Sequence, residues 1–335
     1  MVTLKDIALK CGVSVGAVSK ALNDSHDIGV ETKQYIREMA RKLGYRPNFY
    51  ARTLKTNHSY NIGILFDDAT NNGFGHAFFS NILSAFRGEM ESNDYDLTFI
   101  ARNSKIDESY IEHARHRRLE GVLVACVDYY NEDGIIDLLE SEIPSVAIDY
   151  MSDKFSCVYS DNYNGLMSLT SHCFEMGHRN VAFIHGQHTC VTDERIRGYK
   201  DAFKKHNIPL NEEYLIEGEY YSIETTYKRM KQLIQLPVPP SCVIITDDYC
   251  MFGAQKAAYE MGLSIPWHIS IAGYDDIKIA PYFSPPLTTV RQDAFLIGKT
   301  AAEIILYDIE NKTKSAHNIE IPTQLIQRGS IRKIS

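Results

Sequence analysis

The 335-residue chain is 44% hydrophobic and 23% charged, which is typical of a folded globular protein with room for two or three domains. No run of eighteen apolar residues occurs and the N-terminus lacks an apolar signal core, so we expect no membrane span and a cytoplasmic location. Seven cysteines stand singly, without a CxxC pair, which disfavours a disulfide framework or a zinc site and indicates reduced thiols.

The net charge of −8 is unevenly distributed along the chain. Residues 1–60 carry ten Lys and Arg against five Asp and Glu, whereas the remaining residues carry 25 basic and 38 acidic side chains. A basic segment on an acidic body is typical of a DNA-binding head attached to a sensor domain. A chance fluctuation in a short window is the alternative for charge alone.

The chain begins with a pattern of three short helices. Thr3 and Asp6 form a capping box that opens the first helix, and a glycine ends it. Ser14 caps a second helix that extends to Leu22, and a third helix covers roughly residues 32–43. Two short helices joined by a glycine turn are typical of a helix-turn-helix, whose second helix enters the DNA major groove. A structural helical hairpin is the alternative for this pattern alone.

The predicted second helix has an inward and an outward face. Val18 and Leu22 point inward, whereas Lys20 can donate to guanine or to a phosphate and Val15 can touch a thymine methyl group. Gly16 costs about 1 kcal/mol in a helix interior, so it either permits a close backbone approach or makes no base contact. The outward residues are Val15, Gly16, Ser19, Lys20 and Asn23.

Residues 2–23 resemble the headpiece of the LacI/GalR family of bacterial repressors. They match the family patterns V-T-x-x-D-[VI]-A and G-V-S-x-x-T-V-S-[RK]-x-L-N, except that Ala17 replaces the family's threonine. The adjoining ETKQYIREMARKLGYRPNFYARTLKT is similar to the family's third helix and hinge. The resemblance implies that paired hinge helices fold on DNA and enter the minor groove, with Ala51 in the groove and Leu54 as a wedge between base pairs.

An ordinary core position is the alternative for Leu54. Together, the helix pattern and the resemblance predict a set of DNA contacts in the headpiece and the hinge. These contacts are Thr3, Ser14, Val15, Gly16, Ala17, Ser19, Lys20, Asn23, Asn48, Tyr50, Ala51 and Leu54.

From Asn61 onward, short apolar runs alternate with longer amphipathic segments. Runs such as IGILF, GVLVAC and VAFIH predict strands, and residues 76–92, 163–176 and 194–206 predict helices. This alternation indicates an α/β core of two lobes, each with a doubly wound parallel sheet. The predicted domains are a headpiece with its hinge helix at 1–57 and an effector-binding and dimerisation domain at 60–330. Within the second domain, the predicted N-lobe covers about 60–158 and 290–318, and the predicted C-lobe covers about 162–287 and 320–330.

The resemblance extends over nearly all of this second part. VYSDNYNG (158–165) resembles the family's V-x-x-D-N-x-x-G, ERIRGY (194–199) resembles R-x-x-G-[FYW], and ISIAGYDD and PPLTTVRQD are similar to further family motifs. The resemblance implies a core built like periplasmic sugar-binding proteins, with an effector bound between the lobes. It also implies that Arg195 and Asp275 contact that effector.

Polar side chains at the predicted strand ends supply further candidates, because ligands of doubly wound sheets bind outside the carboxyl ends of the strands. Carboxylates and an arginine suit a sugar, which offers paired donors and acceptors, and aromatic rings supply stacking faces. Arg195 is expected to open a helix. For His76, the alternative to an effector contact is an ordinary residue at the start of a helix. A turn carboxylate is the alternative for Asp67, Asp149 and Asp275. The candidates are Asp67, His76, Phe78, Asp149, Arg195, Tyr221, Thr246, Asp247 and Asp275.

Two other protein classes fit parts of the sequence. GFGHAF comes after an apolar run as in a nicotinamide-binding motif, but Phe78 replaces the third glycine, so an enzyme is disfavoured. His113 with His116, and His185 with His188, have metal-like spacing without an obvious third ligand. A sugar-binding protein without a DNA function, cytoplasmic or exported, fits only the second part of the chain.

The whole sequence therefore predicts a sequence-specific DNA-binding transcription regulator and favours a repressor of carbohydrate-utilisation genes. The expected partners are a pseudo-palindromic double-stranded operator, a second copy of the chain in a homodimer, and a sugar or sugar-phosphate effector. We expect no metal, no cofactor and no membrane. The sequence leaves open whether the effector induces or co-represses.

Overall fold

The structure is a computed structural model that describes residues 2–22, 24–45, 58–66, 75–100, 109–130 and 134–334. The chain divides into two compact units, the headpiece (Met1–Ser59) and the core (Tyr60–Ser335).

The headpiece contains three helices, α1 (Leu4–Cys11), α2 (Val15–Leu22) and α3 (Val30–Lys42). The predicted capping box is confirmed, because the Thr3 hydroxyl accepts from the Asp6 amide and the Asp6 carboxylate accepts from the Thr3 amide at 2.8 Å. α3 begins two residues before the predicted start. The three helices enclose a small apolar core made of Ile7, Ala8, Val18, Ala21, Ile36 and Ala40.

The second predicted cap is also present. The Ser14 Oγ accepts a hydrogen bond from the Ala17 amide at 3.1 Å, so one of the orphan donors at the start of α2 is satisfied. Gly12 ends α1 in the left-handed region at φ 68°, which a residue with a side chain adopts only with strain. The turn between α1 and α2 is therefore specified by the sequence at both of its ends.

The core contains a six-stranded and a four-stranded sheet, and each sheet is parallel throughout. The first has the order β11–β5–β4–β3–β1–β2 and defines the first lobe, while the second has the order β7–β6–β8–β9 and defines the second lobe. The strands are β1 (Asn61–Phe66), β2 (Asp96–Ile100), β3 (Gly121–Ala125), β4 (Ser145–Ile148), β5 (Ser156–Ser160), β6 (Val181–His185), β7 (Leu215–Glu217), β8 (Cys242–Ile244), β9 (Ser270–Ala272), β10 (Thr289–Arg291), β11 (Asn318–Ile321) and β12 (Gln324–Ile326).

Helices cover both faces of each sheet, so both lobes have the predicted doubly wound architecture. α4 and α11 pack on one face of the first sheet, and α5 and α6 pack on the other. In the second lobe, α7 and α8 cover one face while α9 and α10 cover the other. The helices are α4 (Ala77–Ser92), α5 (Tyr110–His116), α6 (Ile135–Glu140), α7 (Asn162–Glu175), α8 (Cys190–Lys205), α9 (Ile223–Ile234), α10 (Met251–Glu260) and α11 (Ala294–Asn311).

The chain passes between the two lobes after β5, after β10 and after β11. Beside these crossings, β10 pairs antiparallel with β12 in a two-stranded ribbon. Neither β10 nor β12 is evident as an apolar run in the sequence, because β10 (TVR) contains a single apolar residue and β12 (QLI) contains two. Parallel strands place all their carboxyl ends at the same edge of a sheet, so each lobe presents one set of loops for a ligand.

Gly198 allows α8 to lie directly against α7. A Cβ atom at this position would lie 2.2 Å from the Tyr163 carbonyl oxygen and 3.1 Å from the Met167 amide nitrogen. Because both neighbours are backbone atoms, the two helices would have to separate to admit even a methyl group.

We therefore expect Gly198→Ala to lower the free energy of unfolding of the core by roughly 1–3 kcal/mol. Gly88→Ala is the matched control, because Gly88 lies within α4 and a Cβ there meets nothing within 4 Å. Alanine should stabilise that helix by about 0.5–1 kcal/mol. Urea denaturation monitored by circular dichroism measures both changes. A stability of Gly198→Ala equal to or above that of the wild type would contradict the close α7–α8 contact.

Candidate functional site

A cavity of about 590 Å³ lies between the two lobes of the core and is named the interlobe cavity. Its walls are the loops after β3 and β4 and the start of α4 in the first lobe, and the loops after β6, β7, β8, β9 and β10 in the second. It is lined by His76, Phe78, Phe79, Cys126, Val127, Asp128, Tyr129, Tyr130, Ile148, Asp149, Tyr150, Gln187, His188, Thr189, Cys190, Val191, Arg195, Tyr220, Tyr221, Asp247, Asp275 and Gln292.

Most of the candidate effector residues meet at this cavity. Thr246 does not line it, because its hydroxyl is turned away and donates to the Cys250 Sγ at 3.1 Å. Asp67 lies outside the described residues. The candidates that line the cavity are His76, Phe78, Asp149, Arg195, Tyr221, Asp247 and Asp275.

Arg195 is held in place by neutral groups of the second lobe. Its Nε donates to the Asn162 Oδ1 at 2.8 Å, its Nη1 donates to the Thr246 carbonyl oxygen at 3.3 Å, and its guanidinium lies 3.7 Å from the centre of the Tyr274 ring. The expectation that Arg195 opens a helix is wrong. α8 begins at Cys190 because the Thr189 hydroxyl caps it, and Arg195 therefore lies in its second turn.

Asp275 projects from a strained turn after β9. Its φ of 106° lies in the left-handed region, and its amide donates to the Val290 carbonyl oxygen at 2.8 Å. The Gln292 Nε2 donates to its Oδ1 at 2.7 Å. Burial raises the pKa of this carboxyl to about 8, and the positive charge of Arg195 opposes the rise.

The two other carboxyl groups differ in what they contact. Burial raises the pKa of Asp149 to about 6, again against the charge of Arg195, and its Oδ1 has no hydrogen-bond partner within the described part of the chain. Asp247 is engaged at both oxygens, because Oδ2 accepts from the Tyr221 amide at 2.8 Å and Oδ1 accepts from the Cys250 amide at 3.1 Å. Asp247 therefore positions Tyr221 and the turn after β8.

Aromatic rings form much of the remaining wall. His76, at the start of α4 in the first lobe, stacks on Tyr221 of the second lobe with ring centres 3.6 Å apart and an angle of 25° between the planes. Tyr129 and Tyr150 lie side by side with ring centres 4.6 Å apart. Flat apolar faces of this kind suit the carbon faces of a ring-shaped ligand.

A second contact between the lobes lies on the other side of the cavity. The Cys190 amide, at the start of α8, donates to the Tyr130 hydroxyl of the first lobe at 3.0 Å. The Cys190 Sγ also donates to the Asp149 carbonyl oxygen at 3.4 Å. Together with the His76–Tyr221 stack, these contacts hold the two walls against each other.

Several residues of the wall are not among the sequence candidates. Tyr129, Tyr130 and Tyr150 come directly after β3 and β4, so the strand-end argument that selected Asp149 applies to them as well. Gln292 lies within the motif PPLTTVRQD. Cys190 and His188 carry no comparable signal, because their position depends on how the loop after β6 enters α8.

In the headpiece, the outward face of α2 is available for DNA. Val15 is 41% exposed, Gly16 is exposed, and Ala17 and Ser19 are half-buried. Lys20 pairs with Asp27 at 2.8 Å, with both side chains more than half exposed. An exposed pair of this kind stabilises the fold by at most about 1 kcal/mol, so Lys20 can exchange it for a phosphate or a base.

Thr3 and Ser14 are exposed, and their hydroxyls accept from the amides of their own helices. The remaining predicted DNA contacts lie outside the described residues; they are Asn23, Asn48, Tyr50, Ala51 and Leu54. Among the described residues, no group of three or more His, Cys, Asp or Glu is placed to hold a metal ion. In the same part of the chain, no helix combines the length and hydropathy that crossing a membrane requires.

The raised pKa of Asp275 predicts a loss of stability with increasing pH. The ordinary pKa is 3.8 and the folded value is about 8, so between these pH values the folded protein holds a proton that the unfolded chain releases. The free energy of unfolding therefore decreases as the pH rises across this interval. Above the folded pKa, Asp275 causes no further decrease. We expect Asp275→Asn to flatten the decrease, measured by urea denaturation over a pH series. Asp137→Asn, on the exposed face of α6, should behave as the wild type, and a wild-type slope in Asp275→Asn would contradict the assignment.

Comparison with known proteins agrees with both parts of the structure. The description "Bacterial regulatory proteins, lacI family" matches residues 3–48, and "Periplasmic binding protein-like domain" matches residues 170–331. The HTH-type transcriptional repressor PurR of Photorhabdus laumondii is 32% identical over 339 residues, which covers 99% of this chain and 97% of the relative. The protein of the same name from Yersinia pestis (strain Pestoides F) is also 32% identical over the same shares.

Two solved structures share the fold. The lac repressor dimer bound to operator and the anti-inducer ONPF has a TM-score of 0.82 at 21% identity, over 99% of each chain. A LacI family transcriptional regulator from Enterococcus faecium with bound ribose has a TM-score of 0.69 at 25% identity, over 82% of this chain and all of that one. The chain has a helix-turn-helix headpiece and a two-lobed core, and a repressor relative is 32% identical to it over nearly its full length. It therefore belongs to the lacI family of bacterial regulatory proteins and is a DNA-binding transcription regulator, not an enzyme.

Proposed function

We propose that this regulator acts in the cytoplasm to repress genes for carbohydrate use, and that a sugar-like effector bound in the interlobe cavity controls the repression. The observation that carries the proposal is the composition of the cavity wall. Arg195 and Asp275 are fixed by their own hydrogen bonds and face a space that aromatic rings enclose. Polar groups held in advance, together with flat apolar faces, are what a polyhydroxyl ring requires for binding.

The proposed effector contacts are the candidates that line the cavity, with the tyrosines after β3 and β4 added to them. Support comes from the Enterococcus faecium regulator, whose structure contains ribose and whose fold covers 82% of this chain. The size of the cavity, about 590 Å³, lies in the usual range for small-molecule sites.

The proposed assembly is a homodimer on a pseudo-palindromic operator, because one helix-turn-helix reads only a half-site. We assign the headpiece and its hinge helix to residues 1–57 and the effector-binding and dimerisation domain to residues 60–330. The effector changes the relative stability of two arrangements of the lobes, and the arrangement that it favours determines the affinity for DNA.

Selection of host genomic fragments by the purified full-length protein tests the whole proposal. We expect enrichment of a short palindrome upstream of genes for sugar uptake or breakdown. Enrichment beside genes of an unrelated pathway would overturn the carbohydrate assignment and leave the regulator intact. A lack of enrichment at both low and moderate salt would contradict unaided recognition of DNA by the headpiece.

Lys20→Ala should weaken operator binding by roughly tenfold or more, because a lysine contact to guanine or phosphate is removed. Lys299→Ala is the matched control, since Lys299 is a half-buried lysine of α11 in the core whose side chain is 42% exposed. Fluorescence anisotropy with the selected operator measures both affinities over a salt series. An equal loss in both variants would indicate a general charge effect and contradict a specific role for Lys20.

Arg195→Ala should abolish the response to the effector while leaving operator affinity in its absence unchanged. Arg197→Ala is the control, because Arg197 lies on the exposed side of the same helix and pairs with Glu194. Arg195→Lys, which keeps a positive charge but lacks the fork, covers the case in which the alanine variant does not fold. A full effector response in Arg195→Lys and Arg195→Ala would remove Arg195 from the site.

A further inference from the structure

The interlobe cavity contains more carboxyl groups than permanent positive charges. Among the described residues that line it, the carboxyl groups are Asp128, Asp149, Asp247 and Asp275, and the only arginine or lysine is Arg195. An anionic ligand would enter a space lined by carboxyl groups, which repel it wherever they are ionised. Recognition of an anion therefore requires dedicated donors, which a protein supplies through arginine forks and helix N-termini.

The guanidinium of Arg195 is already engaged by uncharged groups. Nε donates to Asn162, Nη1 donates to the Thr246 carbonyl, and the Tyr274 ring covers one face. Because Nε is taken, the edge formed by Nε and its neighbouring Nη is not available to a phosphate or a carboxylate. The strongest arginine–anion geometry is a bidentate pair of parallel hydrogen bonds; this edge cannot provide it, and only the edge formed by Nη1 and Nη2 is left, where Nη1 already donates to the Thr246 carbonyl.

The N-terminus of α4 is the second device that could hold an anion. His76 supplies no side-chain cap there. Instead, the Tyr221 ring of the second lobe stacks on His76 at this turn, with ring centres 3.6 Å apart. The Tyr221 hydroxyl oxygen is buried and has no hydrogen-bond partner within the described part of the chain. An uncharged phenol thus lies beside the helix start that would receive an anion.

The N-terminus of α8 is the third such device, and it is also occupied. The Thr189 hydroxyl accepts from the Thr192 amide at 3.1 Å, and the Cys190 amide donates to the Tyr130 hydroxyl at 3.0 Å. Among the described residues that border the cavity, the Nε edge of Arg195 and the N-terminus of α8 are therefore engaged by neutral oxygen atoms, and the phenol of Tyr221 lies beside the N-terminus of α4. This is the opposite of a phosphate site, in which the donors point into open space.

From this arrangement we infer that the interlobe cavity takes an uncharged or amine-bearing ligand and excludes phosphate esters and carboxylates. The inference depends on the proposed function, since it specifies the class of effector at the same site: free sugars or amino sugars, and not sugar phosphates or sugar acids. The remaining polar atoms agree, because Asp149 Oδ1 and Gln292 Oε1 accept from no described residue and call for donors.

The carboxyl groups of Asp149 and Asp275 act in the same direction wherever they are ionised. Burial already raises the pKa of Asp149 to about 6 and that of Asp275 to about 8, against the charge of Arg195. A bound anion would compete for Arg195 and raise both pKa values further, whereas a hydroxyl donor or an ammonium group stabilises the ionised carboxylates.

The test compares matched probes on the full-length protein at neutral pH and constant ionic strength. Isothermal titration calorimetry measures the affinities for glucose, ribose, cellobiose and glucosamine, and for glucose 6-phosphate and ribose 5-phosphate. We expect every probe that binds to be an uncharged sugar or an amino sugar. The phosphate ester of a sugar that binds should bind at least roughly tenfold more weakly than the sugar itself. Tighter binding of a phosphate ester than of its parent sugar would overturn the inference.

Inorganic phosphate separates this inference from the carbohydrate proposal. Failure of all the sugars would count against a carbohydrate effector, but thermal unfolding in phosphate against chloride still measures the preference for charge. Because phosphate stabilises folded proteins in general, we expect it to shift the melting temperatures of the wild type and of Arg195→Lys equally. A rise of about 2 °C or more that disappears in Arg195→Lys would show an anion site in the cavity and overturn the inference.

For a sugar that does bind, the double variant Asp149→Asn/Asp275→Asn tests the cause of the selectivity. Both changes keep the size of the side chain, and at about pH 9, above the folded pKa values of about 6 and about 8, they remove two negative charges. Circular dichroism verifies the fold. The ratio of the two affinities, sugar over phosphate ester, should fall several-fold. Asp137→Asn, exposed on α6, is the control and should keep the wild-type ratio. An unchanged ratio in the double variant would show that the carboxyl groups do not exclude the anion.

Discussion

The second lobe is arranged around one buried cation, the guanidinium of Arg195, which is 4% exposed. Removing such a charge from water costs several kcal/mol unless protein groups replace the lost hydration. Asn162 at the start of α7, the carbonyl of Thr246 after β8 and the ring of Tyr274 after β9 supply that replacement. Because these groups come from three different segments, satisfying one guanidinium fixes their relative positions. The same charge opposes the rise in the pKa of Asp275, so the arginine and the carboxyl groups of the wall form one electrostatic unit.

The contacts across the cavity are of a different kind, since they are few and uncharged. The His76–Tyr221 stack and the hydrogen bond from the Cys190 amide to Tyr130 each contribute on the order of 1 kcal/mol. Their sum is comparable with the differential binding energy of a small ligand. A ligand that bridges both walls can therefore change which arrangement of the lobes is populated, and so can a ligand that displaces a contact between them.

The sequence predicted those features that depend on local chemistry. Thr3 and Ser14 specify their helix starts through hydrogen bonds within one turn, and the buried runs of β1, β3 and β6 are long enough to be recognised. The strand-end argument placed Asp149 and Asp275 at the cavity because parallel strands share one edge. It failed to separate Thr246 from its neighbour Asp247, since the direction of each side chain depends on the turn after β8 and on contacts with distant residues. The start of α8 and the short strands β10 and β12 depend in the same way on tertiary packing.

The charge of the ligand and the arrangement of the lobes are linked through the same atoms. The Tyr221 ring of the second lobe stacks on His76 at the start of α4 in the first, and the Tyr130 hydroxyl of the first lobe accepts from the start of α8 in the second. An anion that captured either helix N-terminus would have to displace a contact that joins the lobes. An uncharged ligand can instead add contacts to both walls without breaking either one. The groups that decide which ligand class binds are therefore also groups that hold the two lobes together, so selectivity and switching in this core have a common physical origin.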